Sequence, residues 1–168
     1  MAELIRLPDA AIVALRCFPE SHAIAASSLG VDLPRVNRFI AHNGLTIAAV
    51  GPDEWTIVDE GSESAALVHR LETALVGHHA AVIDISGNRV RYRVEGSDAL
   101  ATLARGCALD LERLAPGDCA GTLLARAQIY LLLRDVRPNV EILPRRSFAR
   151  YIEAWFSSLK SSHGLLPV

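Results

Sequence analysis

The sequence predicts an α+β fold made of two packed ferredoxin-like α/β plaits. Three observations carry this. Residues 11–85 alternate apolar runs with a helical spacing in the order β-α-β-β-α-β, the split βαβ arrangement. After Ser86 and Gly87 a closely similar order, β-α-β-β-α, runs to the end of the last helix. No long linker separates the halves, and 51% of the 168 residues are apolar, enough for a sizeable core. The halves share a pattern without obvious identity. The expected units are a first plait over 1–85, a second plait with its C-terminal helix over 86–160, and a frayed tail over 161–168.

The first plait opens on AIVALRC (11–17), an apolar run with β-branched members and therefore a strand. Pro19 and Glu20 suit a helix start, and the Ala-rich segment that follows ends at Gly30. Residues 31–44, with Pro34, Asn37, Asn43 and Gly44, are expected as loop. Leu45–Val50 and Trp55–Val58 form strands around the Gly51–Asp53 turn. Ser62 caps a helix that places Leu67, Leu71, Ala74 and Leu75 on one face and ends at Gly77. Ala80–Ile85 closes this half as a strand.

In the second plait, residues 89–94 alternate: Val90, Tyr92 and Val94 face one way, Arg89, Arg91 and Arg93 the other. That is the pattern of a half-buried strand. Gly96 and Ser97 precede a short helix with Leu100 and Leu103 inward, ended by Gly106. APGD (115–118) is a turn. Strands follow over about 122–133, bent or broken near Arg126, and over 140–143, joined by a turn at 134–139. A last helix starts near Arg146 with Ile152, Trp155, Phe156 and Leu159 on one stripe.

Composition removes several function classes. A formal charge of −2 gives no general support for nucleic-acid binding. Cys17, Cys107 and Cys119 are odd in number and have no CxxC spacing, which argues against a disulfide framework or a zinc knuckle. No signal peptide and no membrane-spanning run are visible, so the chain is expected to be cytoplasmic and free of the membrane. Dinucleotide-binding, phosphate-loop, nucleophile-elbow and zinc-protease motifs are missing. His78 and His79 are adjacent, a poor metal clamp, and no metal ligands are assigned. Asp84, inside the apolar AVIDIS run, reads as a turn-organising aspartate bonded to Ser86 or Asn88, or as a ligand-facing acid. Arg145, Arg146 and Arg150 read as a solvated face or a partner surface.

Three stretches taken together resemble one family: GPDEWTIV (51–58), the run from VIDISGNRVRYRV to RAQIYLLL (82–133), and ILPRRSFARYIEAWF (142–156). They are similar in order, spacing and content to the gamma subunits of heterotetrameric sarcosine oxidases. The resemblance implies a non-catalytic, structural subunit of a flavin-dependent amine-oxidising complex, with alpha, beta and delta subunits as partners. It implies FAD, FMN, NAD and zinc on those other subunits, with tetrahydrofolate as a co-substrate and no cofactor in this chain. Trp55, Arg145, Arg146 and Tyr151 are then the expected partner contacts, Trp55 reading also as a ring packed on the sheet of the first plait behind a turn that only reverses the chain.

The same stretches also resemble the N-terminal part of the glycine cleavage T-protein. There an aspartate in a Thr-Asn-Asp-like motif lies near folate. Asp110 of CALDL takes that place here, without the Thr-Asn part. The alternative expectation is therefore a standalone folate-binding, aminomethyltransferase-like protein using Asp84, Asp110 and Arg126. A regulatory plait that binds small molecules is a third.

Overall fold

A computed structural model describes residues 2–135 and 139–161. The turn expected over 134–139 and the tail over 161–168 fall partly or almost wholly outside these residues.

The chain opens with β1 (Glu3–Arg6), followed by β2 (Ala11–Cys17) and, after a single 3-10 turn, α1 (His22–Leu29). Next come β3 (Phe39–His42), β4 (Leu45–Gly51), β5 (Glu54–Asp59), α2 (Ser64–Ala74) and β6 (Ala80–Asp84). Strand β3 lies where the sequence suggested loop. Its brackets, Asn37 at φ 64° and Asn43 at φ 49°, are turn residues flanking a short strand that pairs with β4. Helix α2 begins one residue after Glu63, which makes no side-chain cap bond, so Ser62 is not its cap.

β2 to β6 form one antiparallel sheet in the order β3-β4-β5-β2-β6. Without β3 this is the ferredoxin-like order. The β4–β5 hairpin turns at Pro52 and Asp53, with Asp53 at φ 54°, a conformation that aspartate tolerates better than most residues.

The second half contributes β7 (Tyr92–Glu95), α3 (Ala99–Ala104), β8 (Cys119–Leu124), β9 (Ala127–Asp135), β10 (Asn139–Pro144) and α4 (Ala149–Ser161). The strand expected over 122–133 is a hairpin of two strands, β8 and β9. Ala125 at φ 51° stands in its two-residue turn. The second sheet has the order β1-β7-β10-β9-β8. It repeats the first sheet position for position, except that its outermost strand comes from the start of the chain: Glu3 pairs with Glu95 and Arg6 with Tyr92.

The sheets pack face to face, with helices on their outer sides. Ile12, Phe39, Ala48 and Val58 of the first sheet meet Cys119, Leu132 and Leu143 of the second. Trp55, Ile57, Leu67 and Leu71 fill the core between the first sheet and its helices. Val90, Tyr92, Val94, Leu103, Ile152 and Phe156 fill its counterpart. Both faces of the central strands are therefore covered, which explains why Trp55–Asp59 is buried without alternation. Arg89 and Arg91 are buried as well. The polar face of this strand turns toward the other sheet, with Arg93 partly exposed at its margin.

Candidate functional site

Strand parity brings charge into the layer between the sheets. Arg91, Glu141 and Arg134 alternate with Tyr92, Ile142 and Leu133, which point to the helices. The inward side chains must therefore find partners in the seam. Arg91 Nε donates to Glu141 Oε1 at 2.7 Å, and its Nη2 donates to Glu60 Oε1 of the first half at 2.5 Å. Arg134 forks onto the other oxygen of Glu141, with Nε at 2.8 Å, and reaches Thr46 Oγ1 of β4 at 3.1 Å. One carboxylate thus holds two guanidiniums, and each guanidinium crosses to the opposite plait. Burial alone would push the Arg91 guanidinium down. The carboxylates of Glu141 and Glu60 more than offset this and hold it above its ordinary value. The seam opens into a cleft of about 370 Å³ lined by Arg91, Arg93, Arg134, Glu60, Glu141 and His42.

A further clamp joins the halves, and a buried arginine, Arg89, stiffens the second. Arg38 pairs with Asp118, beside backbone bonds from Phe39 N to Gly117 O (2.8 Å) and from Cys119 N to Asn37 O (2.9 Å). The bond from Ala115 N–H holds the Asp118 carboxyl below its usual range; burial opposes this and Arg38 adds to it. Gly117 sits at φ +89°, where glycine is favoured, and a Cβ there would also push on the Arg38 guanidinium, 2.7 Å from Nη2. Arg89 lies under Tyr130, its Cζ 4.1 Å from the ring centroid, and donates to Leu143 O at 2.9 Å. Burial pushes its guanidinium down.

The residues singled out from the sequence do not form one site. Trp55 is 4% exposed and its indole N–H donates to Pro34 O at 3.0 Å. It is a core residue of the first plait and not a surface contact. Arg146 Nε donates to Gly87 O at 2.9 Å, and Nη2 donates to Arg89 O at 3.1 Å and Ser86 O at 3.3 Å. The backbone N–H of Arg146 donates to Asn88 O at 2.7 Å. Arg146 therefore binds the connector between the plaits. Arg145 is exposed and makes one long bond, 3.4 Å, to Gln128. Tyr151 packs on the second core and accepts the Arg126 backbone N–H at 3.3 Å.

Asp84 Oδ1 accepts from Ser86 N–H at 2.9 Å and Ser86 Oγ at 2.6 Å, bonds that hold its carboxyl below its usual range. It organises the turn after β6. Asp110 is exposed at the start of a 3-10 turn, with no side-chain cap bond. Arg126 is exposed in the β8–β9 turn. None of these three lines the cleft. Among the described residues no group of three or more His, Cys, Asp or Glu could hold a metal.

The charged seam is what sequence reasoning missed. Its signal was Glu141, a lone carboxylate inside the apolar run VEILP, together with an arginine-bearing face in 89–93. A charge in a strand that is otherwise core requires an opposite charge nearby.

Residues 16–162 match the sarcosine oxidase, gamma subunit family. The chain is similar to sarcosine oxidase subunit gamma of Corynebacterium sp. (strain U-96), 34% identical over 146 residues, covering 84% of this chain and 70% of that one. It is also similar to sarcosine oxidase subunit gamma of Arthrobacter sp., 32% identical over 148 residues, covering 85% and 72%. Among solved structures, a chain of the heterotetrameric sarcosine oxidase from Corynebacterium sp. U-96 in complex with pyrrole 2-carboxylate superimposes with a TM-score of 0.89 at 28% identity, covering 99% of this chain and 87% of that one. Aminomethyltransferase T of the glycine cleavage system from Bartonella henselae shares the fold, with a TM-score of 0.71 at 18% identity over 92% of this chain and 45% of that one.

Proposed function

The chain belongs to the sarcosine oxidase gamma subunit family, and from that footing we propose that it is a structural, non-catalytic subunit of a cytoplasmic amine-oxidising complex with alpha, beta and delta subunits. In this reading the other subunits carry the flavins, the NAD and the zinc. The observation that carries it is the family match over 16–162. The use made of its charged residues supports it: Arg38, Arg91 and Arg134 tie the plaits to one another, and Arg146 fixes the connector between them. The result is a stiff two-sheet body suited to holding larger subunits in register.

The folate-binding alternative has the T-protein fold in its favour. Against it, Asp84 is committed to a turn, and neither it, Asp110 nor Arg126 lines the cleft between the sheets. The test is to express alpha, beta and delta with and without this chain. Omission is expected to lower the yield of assembled complex and leave turnover per bound flavin in the surviving complex near normal. Calorimetry on the lone chain is expected to give tetrahydrofolate binding weaker than about 100 µM, or ~5.5 kcal/mol. Micromolar binding that Asp110→Ala abolishes would favour the folate-binding alternative.

A further inference from the structure

We propose that the outer edge of β6 is a docking edge, onto which another subunit of the complex lays an extended apolar strand carrying a basic residue opposite Asp84. The proposal rests on the subunit reading above. β6 is the terminal strand of the first sheet, and two backbone bonds fix which way its polar groups point. Ile85 N–H donates to Ile12 O at 2.8 Å, and Cys17 N–H donates to Asp53 O at 3.2 Å. Even-numbered residues of β2 therefore bond to β6 and odd-numbered ones to β5, in the registers Ala14↔Ile83 and Leu15↔Trp55. Antiparallel pairing alternates, so Ala81 and Ile83 exchange bonds with β2. The N–H and C=O groups of Ala80, Val82 and Asp84 point away from the sheet.

This edge lacks the usual protection. Ala80–Asp84 contains no Lys, Arg or Pro, and its one charge, Asp84, stands at its last position with Oδ1 bonded to Ser86. At the other margin of this sheet the start of β3 is tied to β8 by the Arg38–Asp118 bridge. In the second sheet, β1 carries Glu3 and Arg6 at its ends. The edge is also apolar. Ile83 is 56% exposed, and Phe18 (47%) stands at the start of the same strand. Phe18 follows Cys17, the partner of Ala80, and stacks on His79 at 4.7 Å.

These features fix the chemistry of the occupant. A row of outward amides and carbonyls at two-residue spacing is satisfied by an extended backbone, whereas a helix has already satisfied its own. Ile83 and Ala81 call for apolar side chains on the facing strand. Asp84, the one charged side chain of β6, calls for a cation.

The experiment is residue-resolved amide hydrogen exchange on the lone chain and on the complex co-expressed with alpha, beta and delta. It is paired with the double variant Ala81→Lys, Ile83→Lys. Both sites are exposed, so the melt of the lone variant is expected to stay unchanged. In the complex, Ala80, Val82 and Asp84 should gain protection while Ala81 and Ile83 change little. Incorporation of the double variant should fall about tenfold or more, since edge lysines block strand addition. Wild-type assembly without alternating protection, together with normal incorporation of the variant, overturns the docking edge and leaves the subunit reading standing. Failure of the wild type to assemble overturns both. Alternating protection in the lone chain at dimer mass would show that a second copy takes the edge, which also overturns the proposal.

Discussion

Arg91 Nε stands 2.7 Å from Glu141 Oε1, and each side chain is only 4% exposed. Glu141 also holds Arg134, so one carboxylate bonds two guanidiniums in the layer between the sheets, and Glu60 supplies the second negative charge. Removing its charge leaves Arg91 with Glu60 alone and Arg134 with only the Thr46 hydroxyl. Glu141→Gln is expected to destabilise the chain by about 3–5 kcal/mol, the usual cost of breaking a buried pair from one side. Exchanging Arg91 and Glu141 together for Leu should cost less than Glu141→Gln alone, although Arg134 then loses a partner. Urea denaturation of the three proteins checks the order.

Arg145 and Arg146 are neighbours with different fates. Arg146→Ala leaves the carbonyls of Ser86, Gly87 and Arg89 without their donor. A loss of about 1–3 kcal/mol is expected. Arg145→Ala, at an exposed side chain, should stay within ~0.5 kcal/mol. A thermal melt of each single variant reads the difference.

Gly106 packs directly beneath Trp155. A Cβ there would lie 2.6 Å from Trp155 Cζ2 and 3.1 Å from the backbone nitrogen of Ala125. Gly106→Ala must therefore shift α4 or the β8–β9 turn, at a cost of about 1–3 kcal/mol. The variant should also move the Trp155 emission relative to a Trp55→Phe background.

Much of this architecture was legible in the sequence, and the limits have physical causes. The hairpin at Gly51–Asp53, the end of α1 at Gly30 and the α4 stripe of Ile152 and Phe156 follow from local turn chemistry and periodicity. β1 was not legible, because Glu3–Arg6 is short and charged at both ends and its partner is Glu95. For residues 89–94 the alternation gave the right two faces. Period two cannot tell a face turned to water from one turned to a second sheet, so the buried position of Arg91 is not legible in the alternation. Arg146 shows the same limit: its partners are backbone carbonyls far away in sequence. Of the two readings of Trp55, packed on its own sheet or turned to a partner, the structure takes the first: its ring belongs to the first core.

Alkaline pH should weaken the fold. Burial, with the 2.6 Å bond to Glu153, pushes the Tyr92 hydroxyl from 10.0 to about 12, and burial pushes the Cys119 thiol from 9.0 to about 11. The folded chain then holds these protons more tightly than the unfolded chain. Their contribution is fully present below pH about 9 and is lost as pH rises through about 11 and 12. Denaturation midpoints measured from pH ~8 to ~12 should fall, and the fall should be shallower for Tyr92→Phe.

The most direct test of the account is native mass spectrometry of the complex isolated through a tag on this chain, after co-expression with alpha, beta and delta. The account predicts a single assembly containing one copy of each of four different chains, with flavin absorbance in the assembly and none in this chain once it is separated. Recovery of this chain alone, or of this chain carrying its own flavin, would contradict it.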